Sequence, residues 1–523
     1  MQKYGYTPTM IGHIVLVIVI AVHVNSQQQC PSVCQCGSDN ATCTNLFNDA
    51  KNKTQETFHS ALQTLQVTGI TRLELQEDFF LHWNVTALIS LDLSQNNITE
   101  IWQRAFYSLA ELENLDLSGN KITTLHSQTF SNNTGLLQLF LERNNITEIH
   151  PSTFQNNSKL FHLDMSGNEL NSIHPDTFIH NVALELLSLN GNNITYVDPI
   201  TFRNNSRLTH LAISGNRIHS IHPDTFIHNM ELEWLNLKRN TITDIQPATF
   251  RNNSKIRYLD LSSNVLNVTH SDTFQYNVNL KSLSLRNNNI FNISRGFLLG
   301  INPNYLDLSG NMLESLEPGI FSDCTNLRNL SLSSNRISEI NISLFYGLEY
   351  LEHLDLSNNN IQELNPHVFD FFSNSTNQQN HQVTNLKYLN LAQNKIQVFN
   401  FELYFPLSSN SETYTRKFQL DYLNVSSNNL TTLDVASTEW LNQTTTVTDL
   451  TANPWNCDCS VLLEVWRGLK HKLTLHCASP RELQGKSWDV IEEFCSHIPG
   501  YMYNESKARS EIVSTSIEYE GEI

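Results

Sequence analysis

Basic residues are scarce in this 523-residue chain: 32 Lys and Arg stand against 51 Asp and Glu, a formal net charge of −19. Nucleic acid and anionic membrane surfaces each require a basic footprint, so the balance argues against both and favours a neutral or basic partner. Catalytic signatures are lacking as well. No GxSxG, HExxH, Walker loop or glycine-rich dinucleotide turn stands in a suitable context, and the many Asp, Ser and His residues fall at repeating positions. The expectation is a protein that is not an enzyme and needs no cofactor. Long apolar runs are also few. Residues 1–26 start with Lys3, run through an apolar core from Ile14 to Val22 and close on Val24-Asn25-Ser26, the pattern of a secretory signal peptide. That run is far short of the ~20 residues of a membrane span. No later stretch could span, and the C-terminus lacks the apolar tail of a glycolipid anchor, so the expected product is secreted and extracellular.

What the chain has in abundance is a period. From Asn96 to Asn288 the pattern LxxLxLxxNxI returns every 24 residues, on Asn96, Asn120, Asn144, Asn168, Asn192, Asn216, Asn240, Asn264 and Asn288. Ten residues after each of the first eight stands a phenylalanine, Phe106 through Phe274. Leucines such as Leu115 and Leu117 alternate with polar residues, as a short strand with one buried face requires. The asparagine amide both donates and accepts, so a column of them can satisfy backbone groups where the chain leaves the strand. One turn cannot bury its apolar side alone, whereas stacked turns bury a continuous core. The pattern is the leucine-rich repeat signature. The fold class it predicts is an α/β solenoid: a curved horseshoe with a concave parallel β-sheet and an irregular convex side.

Before Asn96, residues Leu62 to Phe80 hold degenerate turns, with Leu73 and Leu75 followed by Asp78 where Asn is expected. After Asn288 the frame continues through Asn311, Asn335 and Asn359, then jumps by 35 to Asn394 and by 34 to Asn428. Polar insertions near 370–383 and 404–418 account for the two jumps and read as solvated loops. A second period lies within the first: IHPDTFIHN occurs at Ile173–Asn181 and again 48 residues later at Ile221–Asn229, the mark of a duplicated two-turn unit.

Nine cysteines sit almost entirely at the ends: Cys30, Cys34, Cys36 and Cys43, then Cys457, Cys459, Cys477 and Cys495, with Cys324 left over. Two groups of four fit disulfide caps over the exposed ends of a solenoid core in an oxidising compartment. Cys30-Pro-Ser-Val-Cys34-Gln-Cys36 with Cys43, and Asn453-Pro454-Trp455-Asn456-Cys457-Asp458-Cys459 with Cys477 and Cys495, resemble the N- and C-terminal caps of animal extracellular leucine-rich repeat proteins of the Slit, chaoptin and Toll-ectodomain type. The resemblance implies pairings Cys30–Cys36, Cys34–Cys43, Cys457–Cys477 and Cys459–Cys495. It divides the chain into a signal peptide (1–26), an N-terminal cap (27–61), repeats (62–452, about 15 turns), a C-terminal cap (453–496) and an acidic disordered tail (497–523). Cys324 stands thirteen after its repeat asparagine, facing inward, as a buried free thiol or an interchain link.

Nineteen Asn-x-Ser/Thr sequons fit a secreted glycoprotein. Asn132, Asn156, Asn204 and Asn252 share a convex column, and Asn97, Asn145 and Asn193 lie just past the strands. Asn329 and Asn424 fall on strand positions that face the concavity, which leaves the surface from about Ser90 to Asp307 free of sugar. On that surface Leu186, His210, Trp234 and Tyr258 occupy one position in four consecutive turns, a stripe ~15 Å across at sheet spacing. Rigid aromatic rings bury much area at small entropic cost, so the stripe is the candidate partner-binding site. Phe140, His162 and Tyr305 extend it, and Lys238, Asp260 and Arg286 supply a polar rim. A histidine column, His126, His150, His174, His222 and His270, admits a solvated row, a pH-sensitive strip or a metal site. The resemblance implies a protein that binds another extracellular protein through its concave face, in recognition, adhesion, signalling or innate immunity. The rival expectation is a self-associating matrix or adhesion scaffold in which two solenoids form a homodimer.

Overall fold

The structure is a computed structural model; it describes residues 30–46, 57–294, 296–365, 368–369, 385–400, 420–433, 437–438, 440–441, 445–457, 459, 476–486 and 488–496. The leader, both insertions and the acidic tail lie outside the described residues, wholly or in nearly all of their length.

An 18-stranded sheet runs the length of the molecule. Its first strand, Cys34–Cys36, pairs antiparallel with Asn40–Thr44, and every later pairing in the sheet is parallel. Successive three-residue strands such as His210–Ala212, Trp234–Asn236 and Tyr258–Asp260 align without slippage, Leu211 beside Leu235 beside Leu259. Those leucines point inward and are buried, while the residues on either side face the concavity. Register survives the long connections: Tyr388 pairs with His353 on one side and with Tyr422 on the other. The register of the sheet is therefore kept across both long turns.

Two asparagine ladders hold the turns. In the first, Asn120 Nδ2 donates to Leu117 O in its own turn and to Leu93 O in the turn before, both at 2.9 Å, while its Oδ1 accepts from Ile98 N–H at 3.0 Å. The same triad recurs down to Asn453. Each side chain thus satisfies three buried backbone groups that the bend would otherwise strand, at a cost of about 1–3 kcal/mol apiece. The residue before each repeat asparagine adopts positive φ, 64° at Gly119 and 52° at Arg239. Glycine takes that conformation without steric cost, and the non-glycine turns hold it because the ladder fixes both flanks.

The second ladder lies on the convex side. Asn133, Asn157, Asn181, Asn205, Asn229, Asn253 and Asn277 are almost wholly buried. Asn229 Nδ2, for example, donates to Phe202 O at 3.1 Å and to Asn205 O at 2.9 Å. Beside it, phenylalanines stack ring on ring: Phe106 on Phe130 at 5.9 Å and Phe226 on Phe250 at 6.2 Å. The stacking ends at Phe274, which meets Phe297 edge-on at 66°. A small cavity lined by Leu266, Val268, Phe274, Ile290 and Phe297 sits at that break.

The ends are closed by four disulfides, Cys30–Cys36 and Cys34–Cys43 at one and Cys457–Cys477 and Cys459–Cys495 at the other. Trp455 is buried under the C-terminal end, its Nε1 donating to Leu450 O at 3.1 Å. Cys324 is a buried free thiol at the second ladder's position, and burial pushes its pKa up to about 12.

Candidate protein-binding face

Leu186, His210, Trp234 and Tyr258 are direct neighbours across four adjacent strands. The first three are half-buried and Tyr258 is 48% exposed. The His210 ring stacks on Trp234 at 6.2 Å, with Thr209 Oγ1 2.9 Å from its Nδ1. Burial lowers the His210 pKa, against an opposing pull from Glu233, so the imidazole favours its neutral form. The stripe is an apolar band at neutral pH.

Its extensions behave differently from one another. His162 is only 8% exposed because Phe140 meets it edge-on, at 5.0 Å, so Phe140 presents most of that pair's surface. Tyr305 is exposed but separated from Tyr258 by Ser282, and its hydroxyl donates to Asp307 Oδ2 at 3.1 Å. Burial, reinforced by Asp307, raises the Tyr305 pKa. Around the stripe, Lys238 is half-buried and Arg286 exposed. Asp260 has a structural task as well: its Oδ1 accepts from Ser262 N–H at 2.9 Å. Asp92, Asp116, Asp164 and Asp355 do the same two residues on, so the aspartate column shapes the exit from each strand.

Reasoning from sequence missed two features of this face. Glu142 replaces the serine found in neighbouring turns, and its Oε2 is buried without a hydrogen-bond partner. Burial, then the nearby Asp164 and Asp116, push its pKa up to about 7. Further along, His353, Tyr388 and Tyr422 form a second aromatic row on consecutive strands, at 5.6 Å and 4.7 Å between rings. The row holds the same position in each turn as Trp234 does. The insertions, 11 and 10 residues beyond the 24-residue turn, shift that row out of a fixed frame.

Three members of the histidine column share a local turn motif, while His270 Nε2 lies 2.8 Å from Asp244 Oδ1. His150, His174 and His222 each accept, through Nδ1, a hydrogen bond at 3.1 Å from the backbone N–H two residues on. Asp198 and Asn341 do so with Oδ1, which explains why His, Asp and Asn alternate in this column. Among the described residues no cluster of three or more His, Cys, Asp or Glu could hold a metal ion. On the convex column Asn132, Asn156, Asn204 and Asn252 each donate from Nδ2 to a carbonyl of the preceding turn. Asn145 is exposed, whereas Asn97 and Asn193 are partly exposed.

A leucine rich repeat family model matches six overlapping segments that together run from residue 86 to 377, more than half of the chain. The chain belongs to the leucine rich repeat family. Its solenoid superimposes on a chain in the Drosophila Toll–Spatzle complex in its glycosylated form, with TM-score 0.65 and 22% identity over 82% of this chain and 60% of that one. A leucine-rich repeat protein of Leptospira interrogans matches with TM-score 0.59 and 21% identity over 75% of this chain and 95% of that one. The LRIM1/APL1C complex gives TM-score 0.55 and 19% identity over 82% and 75%. At these identities the likeness is one of fold, and this leucine rich repeat chain spans 60% of the Toll-complex chain it matches. No curated protein matches the sequence. No described helix is long and apolar enough to cross a membrane.

Proposed function

We propose that the protein is a secreted, non-catalytic glycoprotein that binds another extracellular protein through the concave face of its repeats. The observation that carries the reading is the in-register stripe of Leu186, His210, Trp234 and Tyr258 on strands without a sequon. Core leucines behind the stripe are buried independently of it, so the aromatic side chains are surplus to the fold and available for a partner. Repeat solenoids with this fold occur in the Toll–Spatzle and LRIM1/APL1C complexes, which supports a protein partner.

Leader removal before Gln27, sugar on the sequon asparagines and the cap boundaries at 27–61 and 453–496 belong to the same proposal. The test is capture of partners from extracellular fluid on the immobilised protein, repeated with Trp234→Ala/Tyr258→Ala and with the convex control Asn156→Gln. The reading expects the aromatic pair alone to lose the partner, by about 2 kcal/mol or more per hot-spot residue. Capture of nothing but a second copy of this chain would transfer the reading to a self-associating scaffold.

A further inference from the structure

The break in the phenylalanine stack coincides with an apolar patch on the flank of the solenoid. Phe291 is 61% exposed, Val268 46% and Val265 36%. Val268 also lines the small cavity beside Phe274 and Phe297, so the patch adjoins that cavity. An exposed patch of this kind calls for a cover, because an aromatic ring and two branched side chains held in water forfeit their burial energy.

The backbone fixes what stands beside it. Asn289 N–H donates to Leu266 O at 2.9 Å, and Ser294 N–H donates to Thr269 Oγ1 at 2.9 Å. The repeat asparagines Asn264 and Asn288 of these two turns are 24 residues apart, so Asn267 and Phe291 hold one position in successive turns, and Val268 and Asn292 hold the next. Both asparagines begin sequons, Asn267-Val268-Thr269 and Asn292-Ile293-Ser294, and both are exposed. Among the described residues their amides make no hydrogen bond, unlike those of Asn132, Asn156, Asn204 and Asn252, which are tied to the preceding turn. Each sequon asparagine therefore has an exposed apolar side chain as its neighbour one turn away.

We propose that Asn267 and Asn292 carry N-linked glycans whose first sugar rings lie over Phe291 and Val268. The inference rests on the secretory reading above. In the modification, the Asn267 or Asn292 amide nitrogen bonds to C1 of the reducing-end sugar and gives up one proton. The bond broken joins C1 to a lipid-diphosphate carrier, which leaves as the lipid diphosphate. A pyranose turns an apolar C–H face toward an aromatic ring and keeps its hydroxyls in water, so it covers the patch without stranding a polar group. The flank of these two turns is then a sugar-covered wall and not a docking surface.

The experiment is a glycopeptide mass map of the full chain secreted from animal cells, followed by binding of an apolar fluorescent dye. The expected map shows sugar on both sites. Asn267→Gln/Asn292→Gln raises dye fluorescence, and adding Phe291→Ala and Val268→Thr removes the rise. Native enzymatic release of the whole glycan, which leaves aspartate in place of each glycosylated asparagine, applied to the wild-type protein and to the Phe291→Ala/Val268→Thr variant, gives the same contrast without mutating the sequons. Bare asparagines at 267 and 292 beside sugar on other sequons overturn this proposal and leave secretion standing; a chain without sugar on any sequon overturns both. Occupied sites with a dye signal indifferent to Phe291 overturn the packing.

Discussion

Turns built on Asn120 to Asn264 and turns built on Asn311 to Asn428 share one sheet and one asparagine ladder, yet their convex sides differ. In the first group every turn has the same length, the second ladder runs through it, and phenylalanines stack from Phe130 to Phe202 and from Phe226 to Phe274. In the second group Cys324 and Leu348 take the ladder position, as Ile301 does in the Asn288 turn between the groups, and the stack has already turned edge-on at Phe297. The first ladder reaches only from strand exit to strand exit, so it tolerates an insertion elsewhere in the turn: Asn394 still donates to Leu356 O at 3.0 Å across 38 residues. Side-chain columns on the convex side need equal turn lengths, because a ring or amide meets its neighbour only when both turns place it at one height. Uniform spacing therefore adds a second set of contacts to a sheet that is complete without it.

Core truncation separates the two groups most strongly. Phe226→Ala, inside the stack, is expected to cost about 3–5 kcal/mol, whereas Phe297→Ala, beside the cavity, costs less because its site is already loosely filled. Denaturant unfolding of both variants checks this, and equal losses would erase the distinction. At the C-terminal end, Cys477→Ser opens the Cys457–Cys477 bridge and is expected to cost roughly 2–5 kcal/mol and lower secreted yield.

Next comes the second ladder. Asn229→Leu, which installs the residue type of Leu348, removes the side-chain hydrogen bonds to Phe202 O and Asn205 O, which keep their backbone donors Asn205 N–H and Leu208 N–H, and should cost about 1–3 kcal/mol for two bonds. The reverse change at Leu348 has no ladder to join and gives no gain; a stabilising Leu348→Asn would show that the amide alone, not the column, matters.

The repeat period, the inward leucines, the first ladder's asparagines and the phenylalanine column were legible in the sequence because each recurs at a fixed spacing and each has one chemical task. The second ladder was not. Asn133 and Leu109 occupy equivalent positions, and nothing local to either says that the amide would be buried against carbonyls 24 and 27 residues back. The turn role within the histidine column was not legible either, since a backbone N–H acceptor can be His, Asp or Asn and the role shared by His150, His174 and His222 is visible only in three dimensions. In the candidate site, Trp234 and Tyr258 were legible by position alone. The Tyr388–Tyr422 row was hidden by insertions, and Glu142 needed its neighbours Asp116 and Asp164 before its altered acidity could be seen.

The smallest effect concerns Glu142. Its folded pKa, about 7, is raised above its usual value, so its contribution favours the fold at low pH and is lost as pH rises through 7. Glu142→Gln should stabilise by roughly 1–2 kcal/mol at pH 8, once the solvent-facing part of the carboxylate is discounted, and by nothing near pH 4. Thermal melts of both proteins across that range check the sign, and a gain independent of pH would contradict it.

The most direct measurement compares the two aromatic rows with the captured partner in hand. Affinity is measured for wild type, Trp234→Ala/Tyr258→Ala and Tyr388→Ala/Tyr422→Ala, each verified by its melting curve. The account predicts that the first pair loses about 2 kcal/mol or more per residue while the second, flanked by the sequons at Asn329 and Asn424, loses far less. Wild-type affinity in the Trp234/Tyr258 variant, with binding lost in the Tyr388/Tyr422 variant, would contradict it and move the site to the C-terminal turns.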